Sequence, residues 1–118
     1  MSRAARVGDL VKEELSGLLL RNIRDPRIGF VTITEVQVSA DLRHARVYFV
    51  THGGGEEQQR TLEGLESARG YLRGELGRRL HLRYVPDLSF TVDETLDHSF
   101  KIREILKSLE TEVKLDEE

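Results

Sequence analysis

Two runs of alternating side chains, separated by four turn-forming residues, constrain this chain more than any other feature. Phe30 to Ser39 is dominated by Thr, Val and Ile, the residues that fit a pleated surface. Its alternation slips once: Val31 and Ile33 share one face, whereas Val36 and Val38 fall on the other. One inserted residue switches faces, so a β-bulge is expected near Thr34-Glu35. Ala40-Asp41-Leu42-Arg43 makes a short turn. His44 to Thr51 returns, with Ala45, Val47 and Phe49 on one side and Arg46 and Tyr48 on the other. Two strands this close form an antiparallel hairpin. A lone hairpin is marginal in water, so its apolar face needs further strands and helices to cover it.

The flanking sequence supplies them. Val7, Leu10, Val11, Leu15, Leu18, Leu19 and Ile23 recur at helical steps. Asp25-Pro26-Arg27 ends that helix, because proline disfavours α geometry in the residue before it, and Ile28-Gly29 turns the chain. After a Gly53-Gly54-Gly55 hinge, a second helical pattern runs from Glu56 to about Leu80. Its stripe is Leu62, Leu65, Ala68, Leu72, Leu76 and Leu80. Gly64, Gly70, Gly74 and Gly77 interrupt it, each costing about 1 kcal/mol relative to alanine. A break or kink at one of them is expected, giving two helices. Tyr84-Val85-Pro86-Asp87 turns into a third strand in which Leu88, Phe90 and Val92 point inward. Asp93 to Asp97 offers helix caps, and Ile102, Ile105, Leu106 and Leu109 mark a last helix. Residues 110–118 hold too few apolar side chains to pack and read as an acidic, frayed tail.

The order helix, strand, strand, helix, helix, strand, helix is that of an α+β two-layer domain with a three-stranded sheet packed against helices. At 118 residues the chain can bury roughly two-thirds of its unfolded surface, enough for one core. A single domain over residues 1–109 is therefore expected, followed by the tail. No apolar run approaches the ~20 residues of a membrane helix. The N-terminus leads into no signal-peptide core. With no cysteine, disulfide frameworks and thiolate chemistry are excluded, and a cytoplasmic address fits.

The formal net charge of −3 conceals an asymmetry. Residues 1–83 carry 14 Lys/Arg against 11 Asp/Glu, whereas residues 84–118 carry 4 against 10. Fourteen of the 18 cations are arginine, which pairs with phosphate in a planar, bidentate way. From 67 to 83, Arg69, Arg73, Arg78, Arg79 and Arg83 face a single carboxylate, Glu75. That cluster can supply a salt-dependent phosphate interaction. Arg43 and Arg46, with His44, form a second candidate patch at the hairpin turn. Arg21, Arg24 and Arg27 form a third, better explained for Arg21 and Arg24 by compensation of a helix dipole.

Ala68-Arg69-Gly70, in mid-helix, resembles the interhelical kink of the ribosome-binding factor A family. Around it, nearly the whole chain is similar to that family. Asp25-Pro26-Arg27-Ile28-Gly29 and Val31-Thr32-Ile33-Thr34, with Val36 and Val38, resemble its first loop and strand. Ser39-Ala40-Asp41-Leu42-Arg43-His44-Ala45-Arg46-Val47-Tyr48 resembles its hairpin. Gly70-Tyr71-Leu72-Arg73, Glu75-Leu76-Gly77-Arg78-Arg79-Leu80, Leu82 to Phe90 and Asp93-Glu94 complete the series. The resemblance implies a type II KH-like fold in which an Ala68-x-Gly70 kink between the central helices replaces the KH GxxG loop. It implies a non-enzymatic, cytoplasmic bacterial factor whose partners are the small (30S) ribosomal subunit and its 16S rRNA. Such factors act late in maturation near the rRNA 5′ end and matter most in the cold. The Gly53-Gly54-Gly55 loop is more glycine-rich than the family pattern.

KH domains clamp single strands with a GxxG turn. Gly74-Glu75-Leu76-Gly77 matches formally, but Leu76 belongs to the buried stripe and Glu75 would repel phosphate. A helical wheel places Gly74 and Gly77 opposite the leucines, flanked by Arg73 and Arg78. That smooth face can dock on RNA, or the glycines can let the first or last helix pack closely. The RNA-binding candidates are thus Arg43, Arg46, Arg69, Arg73, Arg78, Arg79 and Arg83.

Catalysis finds no support. His44, His52, His81 and His98 lack metal-ligand spacing. Asp97-His98-Ser99 cannot form a triad from sequence neighbours, and Asp93-Glu94 reads as a cap. No phosphate-binding loop motif is present. The expectation is a monomeric binder that needs no cofactor and no membrane. A protein–protein adaptor using the acidic C-terminal part is the alternative.

Overall fold

The computed structural model describes residues 2–21 and 25–94. Helix α1 spans Arg3–Arg21, strands β1 and β2 span Val31–Val38 and His44–Thr51, helix α2 spans Gly55–Leu80, and β3 spans Asp87–Val92. The sheet order is β1-β2-β3. β1 and β2 are antiparallel, and β3 lies parallel to β2. The expected last helix and the tail at 110–118 lie outside the described residues, as do Asn22, Ile23 and Arg24.

Each strand appears where alternation put it, to within one residue at either end. The bulge falls where expected: Ile33 pairs with Phe49, Glu35 with Tyr48, and Thr34 is the extra residue. Its effect is to return Val36 and Val38, opposite Val47 and Ala45, to the side carrying Ile33. Thr34 is not wasted. Its hydroxyl donates to Asp93 Oδ2 at 2.7 Å, tying β1 to the end of β3 across the central strand. Asp93, read in the sequence as a cap, is buried at this contact.

Helices α1 and α2 cover one face. Val11, Leu15 and Leu18 of α1 and Leu65, Leu72 and Leu76 of α2 meet Ala45, Val47, Phe49, Leu88 and Phe90 in one core. Gly8 lets α1 approach the sheet: a Cβ there would lie 2.7 Å from the Val36 carbonyl oxygen. The opposite face, which no described element covers, carries Gln37, Arg46, Tyr48, Ser89 and Thr91.

One expectation is corrected. Of the expected break or kink, it is the break that is absent: the segment expected as two central helices divided at Ala68-Arg69-Gly70 is a single helix through that site. Gly70 is exposed, and among the described residues nothing lies within 4 Å of where its Cβ would be. The physical reason is burial. Four glycines cost α2 about 4 kcal/mol in propensity. Fully burying Leu65, Leu72 and Leu76 returns about 1.5–3 kcal/mol each, and the leucines stay in register only if the helix continues. The glycines of α2 that do admit a neighbour are Gly64, buried against Ile28, and Gly77, against Val85.

Candidate nucleic-acid interface

Because β2 and β3 are parallel, their N-terminal ends coincide. The hairpin turn before β2 and the loop before β3 therefore meet at one end of the sheet. The Asp87 N–H donates to the Arg43 carbonyl at 2.8 Å, joining them directly.

The turn is held by its polar side chains. Ser39 N–H donates to the His44 carbonyl at 2.9 Å, and Leu42 N–H to the Ser39 carbonyl at 2.9 Å. Leu42 adopts φ 62°, a left-handed conformation that makes the turn tight. Asp41 Oδ1 accepts from the Ser39 hydroxyl at 2.6 Å and from Arg43 N–H at 3.1 Å. The Ser39 hydroxyl, then the Arg43 amide, hold the Asp41 carboxyl below its usual range. The outcome is a fixed turn presenting Arg43 to solvent.

Two residues along β2, Arg46 rises from the open face. It donates to the Tyr48 hydroxyl at 3.4 Å, which in turn donates to Gln37 Oε1 at 3.4 Å. Beside them lies a shallow cavity of about 410 Å³ lined by Gln37, Val38, Ser39, His44, Arg46 and Ser89.

The loop before β3 begins at His81, whose φ of 51° ends α2 in left-handed geometry. Pro86 is fully buried. A Cβ on Gly77 would sit 2.8 Å from Val85 Cγ2, so this glycine exists to let the loop pack on the helix. Arg73 Nε and Nη2 both donate to the Val85 carbonyl, at 3.3 and 3.0 Å, and Nη2 lies 3.4 Å from Asp87 Oδ1. What the loop displays is Arg83 with Tyr84, the guanidinium 5.7 Å from the ring centroid.

The wheel reading of α2 thus divides. Gly74 is open, but Gly77 is a packing glycine filled by Val85. The arginines divide too. Arg69 pairs with Glu66 at 3.6 Å. Arg78 and Arg79 converge on Glu75 at 2.5 and 3.2 Å. Arg79 also reaches Glu14 of α1 at 3.5 Å. Arg78, then burial opposing it, then Arg79 set the Glu75 carboxyl, whose net shift is downward. With Arg73 tied to Asp87, every candidate on α2 faces a carboxylate. Among the described residues, the guanidinium groups of Arg43, Arg46 and Arg83 form no ion pair, although the charge of Arg43 acts on the nearby Asp41 carboxylate. At the other end of the sheet, Arg27 forms a bidentate pair with Asp25 at 3.0 and 2.7 Å, and Arg21 Nε donates to the Gly17 carbonyl at 3.3 Å as a helix-end cation should. The acidic end invoked for the adaptor reading lies largely outside the described residues.

Sequence reasoning named the arginines but not Tyr84. The available signal was an aromatic beside an arginine in a turn.

The sequence model of ribosome-binding factor A matches residues 3–106 of this chain. The chain belongs to the ribosome-binding factor A family. A ribosome-binding factor A from Halothermothrix orenii is 45% identical over 116 residues, 98% of this chain and 95% of that one. Another from Brevibacillus brevis is 48% identical over 111 residues, covering 94% and 92%. Among solved structures, the crystal structure of ribosome-binding factor A from Thermus thermophilus is 27% identical, with a TM-score of 0.67, over 75% of this chain and 93% of that one. A Thermus thermophilus ribosome-binding factor A model fitted into the cryo-EM map of a 30S complex has a TM-score of 0.55 at 27% identity, over 75% and 89%. Among the described residues, no helix is long and apolar enough to cross a membrane.

Proposed function

We propose that this chain binds the small ribosomal subunit through its 16S rRNA, by the end of the domain where the hairpin turn and the loop before β3 meet. The observation that carries the reading is the placement at that end of Arg43, Arg46 and Arg83, none in an ion pair among the described residues. A guanidinium that need not leave a carboxylate gains the full phosphate interaction and its counterion release. Arg69, Arg73, Arg78 and Arg79 must first give up ion pairs, so they contribute less. Membership of the family, and the 30S complex of the Thermus thermophilus relative, support the partner.

The action requires no bond chemistry. Binding one conformation of immature 16S rRNA more tightly than its alternatives shifts the folding population toward it. On this reading the target is the 5′ region, during late maturation. The need grows in the cold because wrongly paired RNA escapes more slowly there. A soluble cytoplasmic protein acting as a monomer fits this role.

Sucrose-gradient co-migration with purified small subunits tests the reading. The wild type should co-migrate. The triple reversal Arg43→Glu, Arg46→Glu, Arg83→Glu should abolish it, and the salt dependence should flatten in the single variants. Reversing Arg69 and Arg79 should have the smaller effect. Co-migration of the triple variant at wild-type level refutes the assignment.

A further inference from the structure

The loop before β3 carries a feature that charge alone does not explain. Tyr84 is 69% exposed, although its loop is fastened on both sides. Behind it, Val85 fills the space left by Gly77, and Pro86 is buried. The Val85 carbonyl accepts both Arg73 donors. Ahead of it, His81 ends α2 in a left-handed turn. A mobile loop could fold its tyrosine onto the protein; this one is anchored with the ring outward. Arg83 lies against that ring, and Asp87, three residues on, is bonded to the Arg43 backbone. A flat π-surface is thus fixed beside Arg83, which forms no ion pair among the described residues, at the sheet end that carries Arg43. Phe30 is more exposed, at 83%, but it sits at the opposite end against His52, and Arg27 just before it is bound to Asp25.

We propose that Tyr84 is a stacking platform for one unpaired base of the bound RNA, with Arg83 taking the adjoining phosphate. The inference rests on the ribosomal reading above and deepens it. Aromatic rings stack on any base and need no particular edge, so the platform recognises unpaired RNA rather than sequence. Duplex RNA, whose bases are stacked on each other, does not satisfy it. Anchoring the loop in advance lowers the ordering cost of binding. Arg73 is then a positioning residue: its hydrogen bonds hold the platform rather than the RNA.

Equilibrium binding to purified small subunits, with wild type, Tyr84→Ala, Tyr84→Phe and Arg83→Ala, decides the matter. Thermal melting of each variant controls for folding. Tyr84→Ala should weaken binding roughly 5- to 150-fold, the range for loss of one base–aromatic stack. Its slope of log affinity against log salt should match wild type, since no phosphate contact is lost. Tyr84→Phe should bind within about twofold of wild type, because stacking needs the ring and not the hydroxyl. Arg83→Ala should lower the salt slope by close to one phosphate contact. Ultraviolet cross-linking of the wild-type complex should leave a nucleotide adduct on Tyr84. Wild-type affinity in Tyr84→Ala overturns the platform while leaving the ribosomal reading intact. An adduct joining Tyr84 to a ribosomal protein overturns the occupant. Failure of the wild type itself to bind small subunits overturns the ribosomal reading instead.

Discussion

Replacing Gly70 with alanine opposes the two accounts of α2 directly. If Ala68-Arg69-Gly70 were a break between two helices, Gly70 would be needed for the chain to change direction, and a side chain there would be costly. The structure has a continuous helix at this point, an exposed glycine, a negative φ, and nothing within 4 Å of the added Cβ. The substitution therefore removes a helix-interior glycine and introduces no clash. Its value is the Gly-to-Ala propensity difference, about 1 kcal/mol of stabilisation. Part of that gain comes from the less flexible unfolded chain. With a urea m value of about 1–3 kcal/mol/M for a small domain, the midpoint should rise by roughly 0.3–1 M. The measurement is urea unfolding followed by far-ultraviolet circular dichroism, with the m value fitted for both proteins. Equal m values ensure that the midpoint shift reads stability. A fall in midpoint, or a loss of helical signal in the folded baseline, would refute the continuous helix and restore the break.

Gly64→Ala, in the same helix, should act in the opposite direction. Its Cβ would lie 2.6 Å from Ile28 Cγ1 and 3.3 Å from Arg27 Cβ; the Arg27 atom is fixed by its backbone, and the Ile28 atom moves only by a change of χ1. An overpacking cost of about 1–3 kcal/mol then meets or exceeds the propensity gain, and the urea midpoint should fall. Asp25→Asn tests the loop after α1. Arg27, by its side chain and then its backbone N–H, lowers the Asp25 carboxyl from 3.8 to about 2. A carboxyl depressed in the folded state stabilises above its unfolded value, and that contribution is lost as pH falls through the folded one. Wild-type stability should thus decline more steeply than the variant's between about pH 4 and pH 2 in acid-melting curves. Arg73→Ala should cost about 1 kcal/mol from its two hydrogen bonds to Val85. Amide exchange should quicken in residues 81–86, whereas unchanged exchange there would show that the loop does not depend on Arg73.

Much of this architecture was legible because short-range patterns carry it. Alternation located β1, β2 and β3, and the slip between Ile33 and Val36 located the bulge, since a period of two has no other way to change face. The leucine stripe of α2 was equally clear. Its glycines were misleading, because propensity is a local quantity whereas burial of Leu72 and Leu76 depends on what lies beneath them. Gly77 shows the same limit: the wheel identified its face but not that Val85 would occupy it.

The chain's own residues determined the element order, the bulge and the family, since each is written in nearest-neighbour periodicity and ordered motifs. They also determined that arginine would be the surface cation. Only the tertiary structure decided which arginines are available. Glu14 and Arg79 stand 65 residues apart in the chain, and Arg73 meets Val85 and Asp87 only after the chain has turned back from α2 into β3. Parallel pairing of β3 with β2 then brings Arg83 and Tyr84 to the end that carries Arg43 and Arg46. Ion pairing falls steeply with distance, and those distances exist only once the chain has folded.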